Sequence, residues 1–202
     1  MTDSAKETAE KVLDLKSEDP ATVIWFSKMV AEQGEHTAAI EALDIHVKKY
    51  PTNITPKIHL AEMHLNAGDV DTAKLVLERI LILDGISPED YRLCAKLYQR
   101  IDEYHLALDC FESAYITIQK THPETGSCVD VRIEIVDLHM KMGNFDRAID
   151  ELKTQINKTP EDISLHILLS DVLSHINRCE DALASLEKVK KLIDEQLGTK
   201  VD

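Results

Sequence analysis

Nine histidines and four cysteines are the side chains here with the widest chemical reach. Imidazole and thiolate hold zinc and its neighbours, and a thiolate beside an imidazole makes a nucleophile. The spacing argues against both uses. His59 and His64 lie five residues apart and do not share a helical face well, and His139 lies two residues from Asp137, which points the two side chains to different helix faces. The cysteines form no C-x-x-C pair and no disulfide framework, which fits a reducing compartment, expected to be the cytoplasm with the nucleus open. Cys94 falls at a core position and reads as an inert buried thiol. Cys128 is the candidate exposed thiol, with nothing nearby in sequence to activate it. No G-x-G-x-x-G, P-loop, G-x-S-x-G or H-E-x-x-H motif is present. The expectation is therefore no catalytic residue, no metal ligand, no cofactor and no enzyme activity.

The remaining chemistry is charge. The net charge of −14 is spread evenly along the chain, which disfavours a nucleic-acid footprint or an anionic membrane surface as the main partner. No apolar run reaches membrane-spanning length and no signal peptide is evident. Against that acidic background Arg92, Lys96 and Arg100 stand at i, i+4 and i+8, a cationic stripe along one helix.

What must position these residues is a repeated unit. Ala39, Ala73, Ala107, Ala148 and Ala182 recur at spacings of 34, 34, 41 and 34, each followed four residues later by Leu43, Leu77, Phe111, Leu152 or Leu186. Gly34, Gly68, Asp102, Gly143 and Asn177 precede each Ala by five residues, and Pro51 and Pro160 follow two of them by twelve. A small residue lets two helices approach closely. A Gly or Asn before it supplies the left-handed backbone that stops a helix. Each unit then reads as two antiparallel helices that bury their apolar stripes against the next unit.

This pattern resembles the tetratricopeptide repeat, W-x2-L-G-x2-Y…A-x3-F…P over 34 residues, across positions 20–192. The Trp slot departs from it as Val23, Lys57, Tyr91, Arg132 and His166, and the Tyr slot as Val30, His64, Tyr98, His139 and Leu173. Lys57 and Arg132 put the packing at those two sites in doubt, whereas His64 and His139 read as packed core histidines. The resemblance implies an all-α solenoid, a right-handed superhelix of helix pairs, with repeats at 20–53, 54–87, 88–128, 129–162 and 163–196. Residues 1–19 are expected to form an isolated helix: Ala5, Ala9, Val12, Leu13 and Leu15 mark a face in phase with a half repeat, either a cap or the remnant of a longer array. Seven extra residues, His122 to Cys128, are expected to lengthen the second helix of repeat three and return through a loop, a contact loop or a tolerated insertion. The last helix, about Glu180–Leu197, is expected to cap the array with Lys188, Lys190, Lys191, Asp194, Glu195 and Gln196 outward.

The resemblance also implies binding of peptides or protein segments in a concave groove lined by first helices. By phase, that groove carries Lys28, Glu62, Lys96, Asp137 and Asp171 at one level, with Arg92 and Arg100 beside them and Ile58, Leu65, Ile133 and Met140 for apolar contact. These charges are either an intramolecular ladder, Lys28–Glu62–Lys96–Asp137, or a clamp in which Arg92, Lys96 and Arg100 hold an acidic stretch of a partner. The positions that clamp a chaperone's C-terminal carboxylate in one subclass are incomplete in every frame of three repeats. The expected function is a non-catalytic protein–protein scaffold within a multi-subunit assembly, with self-association open. The alternative is an RNA-binding helical-repeat protein, disfavoured by acidity and by the 34-residue period.

Overall fold

A computed structural model describes residues 19–121 and 127–198. Ten helices run through them: α1 (Pro20–Glu32), α2 (His36–Lys49), α3 (Ile54–Asn66), α4 (Val70–Leu81), α5 (Pro88–Arg100), α6 (Tyr104–Thr121), α7 (Ser127–Lys141), α8 (Phe145–Lys158), α9 (Ile163–His175) and α10 (Cys179–Gly198). No strand occurs among the described residues. The expected half repeat lies outside them apart from Asp19, and so does most of the seven-residue insertion. The chain divides into two compact units, residues 1–117 and 118–202.

Four helix starts have side-chain caps that satisfy a free amide of the first turn. Asp19 accepts the Ala21 amide at 3.1 Å ahead of Pro20, Asp69 accepts that of Thr72 at 3.1 Å, and Asp162 accepts that of Ser164 at 3.0 Å. At α5 the Ser87 hydroxyl accepts the Asp90 amide and donates to its carboxylate, 2.7 Å away, while Thr55 of α3 donates to the other carboxylate oxygen at 2.9 Å. That buried carboxylate is thereby satisfied and ties α3 to α5.

Helix stops repeat with the sequence period. The amide five residues beyond Val30, His64, Tyr98, His139 and Leu173 returns to that residue's carbonyl, and the amide just before it bonds the carbonyl of the residue that follows, spanning three residues. These are five copies of the six-to-one helix stop, one per helix pair. The residue in the left-handed region is Gly34, Gly68 or Gly143 in three of them, but Asp102 and Asn177, both at φ 58°, in the others. A side chain there costs stability that glycine does not lose. Asn177→Gly should raise the stability of the chain by about 0.5–1 kcal/mol, read from the urea midpoint at constant slope. A lower midpoint would show that the Asn side chain does more than occupy the turn. Gly85 also has positive φ, but α4 has already ended at Leu81, so Gly85 shapes the connection rather than stopping the helix.

In the first unit α1 and α2 pair, α3 packs on both, and α4 and α5 pack on α3. Val23, Phe26, Val30, Ala39, Leu43, Leu60 and Met63 form a core across α1, α2 and α3. In the second unit α7 and α8 pair, α9 closes on α8, and α10 pairs with α9. Val136, Ala148, Ile149, Leu152, Leu165, Leu169, Val172 and Ala182 make its core. All five phased alanines are buried. The two doubtful Trp-slot residues are accommodated. Arg132 pairs with Glu151 of α8 at 2.6 Å, and Lys57 donates to the Pro51 carbonyl. At 18 residues α6 is longer than the 12 to 14 of α2, α4 and α8, and α7 begins at Ser127, two residues before the expected repeat boundary.

One expectation about the core histidines needs correction. His139 is buried, but His64 is only half-buried, with Nδ1 3.2 Å from the Asp69 carboxylate. On the last helix the six polar residues expected outward are exposed, but Leu183, Leu186 and Ile193 are exposed among them.

Candidate functional site

First helices of consecutive pairs lie side by side in each unit, and the spaces between them are the candidate site. In the first unit a cleft of about 320 Å³ lies between α1 and α3, lined by Lys28, Ala31, Glu32, Glu62, Met63 and Asn66. In the second a wider one of about 600 Å³ lies between α7 and α9, lined by Ile133, Ser164, Ile167, Leu168, Ser170, Asp171 and Ser174. The phase of the sequence thus brings Lys28 and Glu62 together, and likewise Ile133 and Asp171.

The acidic members of the ladder alternative have other partners. Glu62 bonds His59 of its own helix at 2.8 Å, and that bond, with the charges of His59, Lys28 and Arg100, holds its carboxyl below the usual range against the opposing effect of burial. Asp137 pairs with Lys141 one turn on at 2.7 Å, and Asp171 lies 3.8 Å from His175. Glu62, Asp137 and Asp171 thus take short-range partners on their own helices, which cost less side-chain ordering than links between repeats. Two members of the cationic stripe have these partners: Arg92 pairs with Glu89 at 3.2 Å, and Arg100 donates to the Asn66 side chain at 2.7 Å, joining α5 to α3. Lys96 is exposed between them.

Among the apolar groove residues, Ile58 is a correction. At 1% exposure it is buried in the core and offers no contact surface. Leu65, Ile133 and Met140 are half-buried; the latter two rest against the core of the second unit and present their outer edges. Ile167, missed at first, is half exposed in the wider cleft, 34 residues after Ile133. The repeat period was the signal that could have found it.

The thiols fit a structural role. Burial pushes the Cys94 thiol far up and the Cys110 thiol up to about 12, so neither is a nucleophile near neutral pH. Cys179 is exposed, an accessible thiol that the sequence reading did not single out. Among the described residues no cluster of metal-binding side chains occurs, and no helix is long and apolar enough to cross a membrane.

Solved structures share this architecture. A set of nearly identical TPR-like repeats from a Podosopora anserina putative kinesin light chain matches at a TM-score of 0.66 and 17% identity, covering 92% of this chain and 100% of that one. The fold is the tetratricopeptide repeat. YrrB, described as a TPR protein with an unusual peptide-binding site, matches at 0.57 and 15% identity over 93% of each chain. MamA matches at 0.61 and 18% identity, covering 91% of this chain and 96% of that one. A family model for the bacterial transcriptional activator domain matches TPR residues 108–202 of this chain. No curated protein matches in sequence.

Proposed function

We propose that this TPR chain is a non-catalytic scaffold that holds extended segments of partner proteins against its first helices, within a larger assembly. The observation that carries the reading is the wider cleft between α7 and α9, where Ile133, Ile167 and Leu168 offer apolar contact beside the hydroxyls of Ser164, Ser170 and Ser174 and the carboxylate of Asp171. An apolar floor with a few polar groups is the surface that fixes a peptide side chain and its flanking backbone. YrrB, similar in fold, is described by its peptide-binding site, and the partial match to a transcriptional activator domain favours a regulatory setting over a metabolic one. RNA is disfavoured at this cleft, since Asp130, Asp137 and Asp171 are exposed on the same two helices and would repel phosphates. In the first unit Lys28, Arg92, Lys96 and Arg100 are the candidate contacts for acidic partner residues, beside Glu62, which bonds His59.

The test is selection of a random-peptide library on the wild-type chain, followed by anisotropy titration of the enriched peptides. Ile167→Asp should weaken them at least tenfold while leaving the circular dichroism and melting profile unchanged. Enriched peptides that bind the variant as tightly as wild type would overturn the assignment of the cleft.

A further inference from the structure

The last helix carries an open apolar face, separate from the clefts between first helices. In the four preceding helix pairs the large apolar residue four after the phased alanine, Leu43, Leu77, Phe111 or Leu152, is at most 1% exposed. Its counterpart on α10, Leu186, is 45% exposed. The comparison is internal to the second unit: Ile149 and Leu152 on α8 are closed by α9, while Leu183 and Leu186, 34 residues later, are covered by no described helix.

The open face has a seam. Cys179, Leu183, Leu186, Lys190 and Ile193 follow one another at spacings of four, three, four and three, and all five are exposed. That alternation, sustained along a helix, is the pattern that receives the side chains of a second helix, and a single Lys within it fixes the register. One side of the seam turns into the unit's own core through the buried Ala182 and Val189. The other side is flanked at seven-residue intervals by Glu180, Glu187 and Asp194, all exposed. Lys191, four residues after Glu187 and three before Asp194, borders this acidic row, and Lys188 lies further round the helix.

The geometry points to an amphipathic partner helix with an apolar stripe, a basic flank to meet Glu180, Glu187 and Asp194, and an acidic residue opposite Lys190. A second copy of this chain fits poorly. Antiparallel pairing of α10 with itself sets one acidic row against the other. Parallel pairing sets that row against Ala182 and Val189, which offer no cation.

Two 21-residue helical peptides distinguish these cases in anisotropy titrations with the full chain. Both carry Leu along a four–three seam and one Glu to face Lys190; one has Lys flanks and the other Glu flanks. The Lys-flanked peptide should bind at least tenfold more tightly, Leu186→Asp should abolish that binding, and Glu187→Lys with Asp194→Lys should reverse the preference with an unchanged melting profile. Ile167→Asp should leave it untouched, which separates this surface from the cleft. Equal binding of the two peptides, no binding, binding retained by Leu186→Asp, or an unreversed preference in the double charge variant would each overturn the proposal. A wild-type dimer that Leu186→Asp converts to monomer in sedimentation would overturn it in favour of a second copy.

Discussion

Replacing Leu152 with Ala should destabilise the chain by about 2–5 kcal/mol, whereas the same change at Leu186 should cost about 1 kcal/mol or less. The two residues hold one slot in successive pairs, so local helix propensity cancels in the comparison. Leu152 is enclosed by α9 and its removal leaves a void in the core shared by α7, α8, α9 and α10. Leu186 already faces solvent over nearly half its surface, so deleting its methyls forfeits little packing. The measurement is a pair of urea titrations with the slope checked for constancy. Equal losses would show that something covers α10 in solution even without added partner.

Ala148→Leu is the second large effect, a loss on the order of 1–3 kcal/mol through overpacking. Ala148 is fully buried where α8 meets α7 and α9, and its neighbours in the core are Val136, Leu165 and Leu169. A side chain three carbons larger must push those helices apart or enter a poor rotamer. An unchanged denaturation midpoint would mean that the helices yield at no cost and that the small residue is not what sets their approach.

The residues that define a helix pair were legible in the sequence because their work is local. Pro20 and Ser87 start helices; Gly34, Gly68 and Gly143 stop them; the five alanines mark the crossings. The site was legible only in part, because phase assigns a face but not a depth. Ile58 and Ile133 share a phase, yet Ile58 is sealed into the core while Ile133 borders a cleft. Side-chain pairing was less legible still. Glu62 had Lys28 and Lys96 one repeat away on either side, but His59, three residues back on its own helix, offers a bond at smaller entropic cost. The open face of α10 was hidden by composition, since Lys188, Lys191, Asp194, Glu195 and Gln196 obscured the four–three spacing of Leu183, Leu186, Lys190 and Ile193.

The five helix stops bear on how freely such a chain can drift. In each, the slot usually filled by Tyr contributes its backbone carbonyl to the six-to-one bond, and any residue has that carbonyl. The slot's side chain is thereby released to be Val30, His64, Tyr98, His139 or Leu173 without loss of the turn. Donor and acceptor both belong to the same helix pair, so the punctuation travels with the unit that needs it. A whole pair can be copied, lost or rewritten on its outer faces while its neighbours keep their own endings. The vocabulary of binding surfaces is in this way uncoupled from the grammar of the fold.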